Sequence, residues 1–93
     1  MIKRKITKLG MRLHEWQHES CTAEFGVGKN WATLYYIESK SEGRGHATQL
    51  LTVAKEYYEG KGKTFGGSVA LNERMRSIYK KLGITEYDDS YAS

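Results

Sequence analysis

The chain has 93 residues, a formal net charge of +4 at pH 7 and a single cysteine, and 39% of its residues are hydrophobic. That hydrophobic content excludes wholesale disorder, and the absence of an apolar run of about 20 residues excludes a membrane-spanning helix. The lone Cys21 excludes an internal disulfide and is typical of a reducing compartment. We therefore expect one domain over residues 1–93, located in the cytoplasm.

The excess positive charge favours anionic partners. A phosphorylated cofactor, a nucleic acid and an acidic protein surface all fit it, as does a solubilising face without a partner. Charge alone selects none of these. Much of the charge lies early in the chain, in Lys3, Arg4, Lys5, Lys8 and Arg12.

Residues 2–20 carry a mixed pattern. The segment "IKRKIT" alternates like a strand, whereas apolar residues from Ile2 to Trp16 are spaced as on a helix that Gly10 would interrupt. We favour extended structure for this region.

Within it, "HEWQH" matches the zinc-protease signature H-E-x-x-H. The signature requires a helix, which brings the two histidines within about 6 Å, whereas a strand separates them by roughly 13 Å. Strand-like sequence follows, and Glu38, where a third ligand would stand, ends another predicted strand. We therefore expect no metal site, and we interpret His14 and His18 as surface residues around a packed Trp16.

Two β-rich runs, "CTAEFGV" and "WATLYYIES", are separated by the turn-forming "GKN" and predict a hairpin. In the second run, Tyr35 and Tyr36 stand between Leu34 and Ile37. This apolar stretch predicts a central strand covered on both faces.

Two helices are predicted farther along. Residues 46–59 place apolar side chains three and four apart, and Gly60 follows as a stop. Residues 72–82 begin at Asn72, a good N-cap, and end before Gly83. With short strands in "TFGGSVA" and "ITEY", the order predicts an α/β (α+β) domain with a mixed, mostly antiparallel sheet and two main helices.

A glycine-containing loop, "KSEGRG", joins the hairpin to the first helix. Glycines let a ligand approach the backbone, and the first helical turn offers unpaired N–H groups, so together they suit a phosphate. The ATP-binding P-loop is excluded because no lysine follows these glycines, and the dinucleotide fingerprint fails because Thr48 stands at its third glycine. An ordinary tight turn also fits.

The loop and the second helix together resemble the GNAT superfamily of acetyl-coenzyme-A-dependent N-acetyltransferases. That family's pyrophosphate loop reads approximately [QR]-x-x-G-x-[GA], and "IESKSEGRGHA" supplies Gly45 and Ala47 at the G-x-[GA] positions. A later family motif is similar to "NERMRSIYKKLGI", with Asn72 and Tyr79 at the family's spacing before a glycine. The resemblance covers roughly residues 21–87.

The resemblance implies an acetyl-coenzyme A (acetyl-CoA) site. Backbone N–H groups of the loop would hold the pyrophosphate. The end of the preceding strand would pair with the pantetheine arm and polarise the thioester carbonyl. Asn72 would contact the pantetheine. The residues implied in cofactor binding are Ile37, Ser39, Gly43, Arg44, Gly45, His46, Ala47, Thr48 and Asn72.

The resemblance also implies catalytic residues. Tyr79 would donate a proton to the departing thiolate, and Glu38 and Glu24 are candidates for the base that frees the acceptor amine. Plainer interpretations exist, because Tyr79 lies on the apolar stripe of its helix and Asn72 suits an N-cap in any protein.

The chain departs from the family at three points. Glu42 stands where Arg or Gln is usual, Ser39 stands where Pro is frequent, and the region before residue 21 is shorter than the acceptor-binding part of full-length members. It therefore looks like the small stand-alone members, some of which are encoded by phages and acetylate a lysine of a host defence protein.

These observations predict an N-acetyltransferase that moves an acetyl group from acetyl-CoA to an amine, preferably a protein lysine, without metal or covalent enzyme intermediate. A phage-type enzyme would act in the host cytoplasm. A homodimer is compatible with the sequence, and no membrane partner is expected. Two alternatives stay open: a GNAT-fold binding protein without turnover, and a basic nucleic-acid-binding module that uses the early lysines and arginines.

Overall fold

The computed structural model describes residues 1–40, 43–70 and 72–87. Among these residues, no helix is long and apolar enough to cross a membrane. The elements in chain order are β1 (Ile2–Lys8), β2 (Met11–His18), β3 (Cys21–Val27), β4 (Trp31–Ser39), α1 (His46–Gly60), β5 (Thr64–Ser68), α2 (Glu73–Leu82) and β6 (Thr85–Tyr87).

The strands form one six-stranded sheet in the order β1-β2-β3-β4-β5-β6. The first four strands are antiparallel neighbours, whereas β5 pairs in parallel with both β4 and β6. The predicted α+β fold, with its mixed, mostly antiparallel sheet and two main helices, is confirmed, and so is the hairpin of β3 and β4.

The ambiguous region before residue 21 is extended, as favoured. β1 and β2 pair along their whole length as a hairpin. Its turn holds Leu9 and Gly10 at φ values of 52° and 78°. Gly10 therefore serves a left-handed turn, a conformation that costs glycine little.

Both helices pack on one side of the sheet, which we call the helix face. The crossovers β4-α1-β5 and β5-α2-β6 join parallel neighbours and step in the same direction, and right-handed connections then put their helices on the same side. The residues that the helices contribute to the core are Leu50, Leu51, Ala54 and Tyr58 from α1 and Tyr79 from α2.

Tyr58 organises the aromatic part of this core. Its fully buried ring lies beside Phe25 and stacks on Phe65. Trp16 donates its Nε1–H to the Tyr58 hydroxyl at 3.1 Å, and His14 Nδ1 lies 2.8 Å from the same oxygen. Burial raises the pKa of Tyr58 to about 12, so this hydroxyl stays protonated. The expectation of a packed Trp16 is confirmed.

The opposite side of the sheet, which we call the open face, exposes side chains of β4. Tyr35 and Tyr36 are 44% and 43% exposed. β4 is central in the sheet, as predicted, but the expectation that it is covered on both faces is wrong. The physical reason is that α1 and α2 lie on the same side.

β4 pairs with β5 over only the first part of the length of β4. The two strands pair from Trp31–Thr64 to Leu34–Gly67, and β4 then continues to Ser39. At the same point the β3–β4 register shifts, because Phe25 pairs with Leu34 but Glu24 pairs with Tyr36. Tyr35 is thus an extra residue in β4, a β-bulge that bends the strand and increases its twist. The bulge accompanies the opening between β4 and β5.

Replacing a core residue of α1 tests this packing. Leu51 is 0% exposed, whereas Val53 on the same helix is 43% exposed. We expect Leu51→Ala to lower the free energy of unfolding by about 2–5 kcal/mol through cavity formation. Val53→Ala, the matched control, should change it by less than about 0.5 kcal/mol. Urea denaturation measures both, and equal losses would contradict the assigned helix face.

Candidate functional site

A cleft opens where the end of β4 meets the start of α1 and the first half of α2. It encloses about 260 Å³. It is lined by Ile37, Ser39, Gly43, Gly45, His46, Ala47, Thr48, Asn72, Arg74, Met75, Ser77 and Ile78. The residues expected to bind the cofactor therefore lie together around one cavity, apart from Arg44, which is exposed beside it.

The loop before α1 depends on glycine at two positions. Gly43 and Gly45 have φ values of 87° and 75°, in the left-handed region that other residues avoid. Gly45 is the N-cap of α1, and its carbonyl accepts the first helical hydrogen bond from the Gln49 amide at 2.9 Å. Glu42, the departure noted in the sequence, lies outside the described residues.

The start of α1 is electrostatically suited to an anion. Among the described residues, no side chain caps the helix and no acidic residue stands in its first turn. The first amides of a helix lack intrahelical partners and carry partial positive charge. His46, Ala47 and Thr48, which form this turn, all line the cleft. A phosphate group in the cleft would meet these amides and the Thr48 hydroxyl.

α2 forms the facing wall. Asn72 caps it, because the Asn72 side-chain oxygen accepts the Met75 amide at 2.9 Å. Arg74 brings a cation to the cleft, and a Cβ placed on Gly43 would lie 3.9 Å from the Arg74 Nη2. Neither Arg74 nor Met75 was predicted from the sequence as a site residue, although Arg74, Met75 and Ile78 are spaced to share one side of a helix.

A second, smaller cavity of about 90 Å³ continues into the opening between β4 and β5. It shares Ile37, Asn72 and Met75 with the cleft. Its other lining residues are Leu34, Tyr35, Tyr36, Ser68, Val69, Ala70 and Tyr79. Because the two cavities share three lining residues, they adjoin each other. We call the pair the groove, and it reaches from the glycine loop to Tyr79.

Tyr79 is buried at the inner end of this groove, with 4% exposure. Its hydroxyl donates to the Ser68 carbonyl at 2.9 Å. Burial, and to a lesser extent the negative charge of Glu86, raise the pKa of Tyr79 to about 12. Gly67 provides the room for this ring, because a Cβ there would collide with the Tyr79 hydroxyl.

The two candidate bases lie on the open face. Glu38 pairs with Thr22 in the register and stands between Ile37 and Ser39, which face the cleft. The Tyr36 hydroxyl donates to Glu38 at 2.7 Å, and this bond raises the pKa of Tyr36.

Glu24 is closer to the bulge than Glu38 is. It pairs directly with Tyr36, is 8% exposed, and has a carboxylate oxygen 3.2 Å from Lys8 Nζ. Both carboxylates are therefore separated from this cleft by the thickness of the sheet.

The residues of "HEWQH" go to separate places on β2. His14 reaches Tyr58, and His18 Nε2 lies 2.7 Å from the Gln49 side-chain oxygen. Glu15 accepts from Arg4 at 2.7 Å. Because the segment is a strand, no single ion can bridge both histidines. In the part of the chain that the structure describes, no group of three His, Cys, Asp or Glu side chains is arranged to hold a metal.

His46 links this strand to the cleft, which it lines. Its Nδ1 lies 3.2 Å from the Ser20 hydroxyl, and its ring meets the His18 ring edge-on with the ring centroids 5.6 Å apart.

The imidazole of His14 has a perturbed environment. Burial, with smaller effects from three nearby lysines, lowers the pKa of His14 and favours its neutral form.

Comparison with known proteins adds no relative to this description. No family model, no curated protein and no solved structure matches the chain.

Two substitutions separate the capping role of Asn72 from a binding role. Asn72→Ala should lower the free energy of unfolding by about 1 kcal/mol because it removes the α2 cap. Asn72→Ser keeps a capping oxygen and should preserve stability, but it removes the amide group that lines both cavities. We expect Asn72→Ser to weaken acetyl-CoA binding in calorimetry. Unchanged binding would assign Asn72 to capping alone.

Proposed function

We propose that this protein is an N-acetyltransferase that transfers the acetyl group of acetyl-CoA to a primary amine, with a protein lysine as the preferred acceptor. The observation that carries the proposal is the groove of two adjoining cavities between the glycine loop and the buried Tyr79. The sequence features that resemble the GNAT superfamily line the two ends of this groove.

The outer end suits the pyrophosphate of the cofactor. The amides at the start of α1 would donate to phosphate oxygens, and Gly43 and Gly45 allow the backbone to approach. Arg74 would add a guanidinium from the opposite wall, where a charge-assisted bond to phosphate is strong. The loop before α1 has Glu42 at the position where the family usually has Arg or Gln. Arg74 would supply a positive group from α2 instead.

The middle of the groove suits the pantetheine arm. Beyond Leu34, β4 no longer pairs with β5, so its edge is open to an extended ligand that adds like a strand. Ile37 and Ser39 face this space, and Met75 and Ile78 form an apolar wall across it. The thioester would then lie near the bulge, where a β4 amide can stabilise the oxygen of the tetrahedral intermediate.

Tyr79 would assist departure of the coenzyme A thiolate. Its pKa of about 12 exceeds the roughly 8.5 of a free thiol, so full transfer of its proton to sulfur is uphill. Its hydroxyl would instead donate a hydrogen bond to the sulfur as charge develops, in exchange for its bond to the Ser68 carbonyl.

The acceptor amine would approach from the open face. A carboxylate must take its proton, because only a neutral amine attacks a thioester. Glu24 is better situated than Glu38, because Glu24 pairs with Tyr36 at the bulge. The exposed rings of Tyr35 and Tyr36 offer a surface on which a lysine side chain can pack.

The nucleic-acid alternative finds less support in the charges of the N-terminal hairpin. Arg4 is paired with Glu15 and Lys8 with Glu24. Lys3 donates to the Tyr57 hydroxyl at 2.6 Å and lies over its ring. These contacts spread the basic residues over both faces and pair two of them with carboxylates, which weakens a phosphate-binding surface.

Cofactor binding is the direct test of the proposal. Isothermal titration with acetyl-CoA in the presence of a chelator should give micromolar affinity. Arg74→Ala should weaken binding about tenfold, because it removes a charge-assisted bond to phosphate. Lys81→Ala, which removes an exposed charge at the other end of α2, is the matched control and should bind normally. Absence of binding by a folded protein would refute the proposal.

Tyr79→Phe tests the chemical step. The variant keeps the ring beside Gly67 but loses the hydroxyl, so we expect kcat for acetylation of a lysine peptide to fall at least about tenfold, with little change in KM for acetyl-CoA. Because the pKa of Tyr79 is about 12, this hydroxyl stays protonated between pH 7 and 10. Its ionisation should therefore cause no decrease in the wild-type rate over that range. An unchanged kcat for Tyr79→Phe would remove Tyr79 from the mechanism. If the wild-type protein binds acetyl-CoA but acetylates nothing, the result would favour a non-catalytic binding protein.

A further inference from the structure

Lys8 holds a primary amine beside the candidate base. It is the last residue of β1, and its side chain crosses β2 on the open face to reach β3. Its Nζ lies 3.4 and 3.2 Å from the two carboxylate oxygens of Glu24. The same Nζ stands 5.4 Å from the centroid of the Tyr36 ring. Lys8 therefore contacts the carboxylate and the ring that pair with each other at the bulge.

The other basic residues of this hairpin lie differently. Lys3 extends to Tyr57 of α1 on the helix face, and Arg4 pairs with Glu15 on β2. Neither places a primary amine beside Tyr36, which lines the smaller cavity of the groove. The Lys8 side chain is 53% exposed, so it is not locked into its ion pair and can move over the open face.

We propose that Lys8 is a self-acetylation site of this protein. The inference rests on the proposed acetyltransferase function and goes beyond it by naming an acceptor within the chain. Three features favour Lys8 as the acceptor: a carboxylate in contact with the amine, an aromatic ring beside it, and a partner, Glu24, that pairs at the bulge where β4 leaves β5.

The reaction is a direct acyl transfer. Glu24 accepts a proton from the Lys8 ammonium, and the neutral Nζ attacks the thioester carbonyl carbon of acetyl-CoA. A C–N bond forms and the C–S bond breaks, with the electron pair leaving on the coenzyme A sulfur. Nζ loses its second proton to solvent, the departing thiolate takes a proton from solvent, and the products are Nε-acetyl-lysine and coenzyme A.

Acetylation also changes the open face. The amide is uncharged, so the ion pair with Glu24 is lost. Glu24 then becomes accessible to the ammonium of an incoming acceptor. Self-acetylation would thus convert a carboxylate occupied by the chain's own lysine into one available to a substrate.

The test is incubation of the full-length protein with acetyl-CoA, followed by intact mass and peptide mapping over time. We expect one early acetylation at Lys8, at least tenfold faster than at Lys3 and Lys5, which lie on the same strand and serve as internal controls. The first-order rate constant should not depend on protein concentration. Glu24→Gln should slow the labelling of Lys8 at least tenfold, and Lys8→Arg should remove the early product.

Other outcomes would overturn the inference. Equal labelling of Lys3, Lys5 and Lys8 would indicate chemical acetylation, and a rate constant that rises with protein concentration would indicate transfer between molecules. Acetylation of an added lysine peptide without acetylation of Lys8 would refute self-acetylation and leave the proposed function intact. Failure to bind acetyl-CoA would refute both. If Lys8→Arg does not fold, the wild-type peptide map and Glu24→Gln decide.

Discussion

The arrangement of this site depends on the point at which β4 parts from β5. The two strands pair only as far as Leu34–Gly67, and Tyr35 is inserted as a bulge immediately afterwards. A strand that kept its partner would satisfy its own backbone groups and leave no space for a ligand. Because β4 continues alone to Ser39, its edge remains open and the groove can extend into the sheet.

Each end of that groove is made by a different local constraint. At the outer end, two left-handed glycines allow the chain to turn directly into α1 and leave the first helical amides without a side-chain cap among the described residues. At the inner end, Gly67 makes room for the Tyr79 ring. An uncapped helix start and a glycine within a strand each contribute less stability than a capped helix or a strand position with a side chain would.

Much of the fold could be predicted from the sequence because its signals are local. Asn72 and Gly83 mark the ends of α2, and the turn residues between β3 and β4 mark their hairpin. The bulge at Tyr35 could not be predicted, since an added residue leaves no compositional trace. Arg74 was missed for a different reason: its position beside Gly43 arises only when α2 packs against the loop.

The prediction that β4 is covered on both faces was wrong because of the topology, not because of the residue pattern. Tyr35 and Tyr36 are apolar enough for a buried strand, yet both crossovers bring their helices to the opposite side. The alternation of side chains along β4 also indicates which face Glu38 occupies. Ile37 and Ser39 were both expected to face the cofactor, so Glu38 between them had to face away. The open face thereby carries Glu24 and Glu38 together with the exposed rings of Tyr35 and Tyr36.

The proposed binding of acetyl-CoA in the groove between α1 and α2 is best tested by a titration followed by backbone-amide NMR. We expect the largest chemical-shift changes at Gly43, Gly45 and Ala47, with further changes at Ile37 and along the first turn of α2. Changes confined to the N-terminal hairpin, or no change at millimolar cofactor in a folded protein, would contradict it.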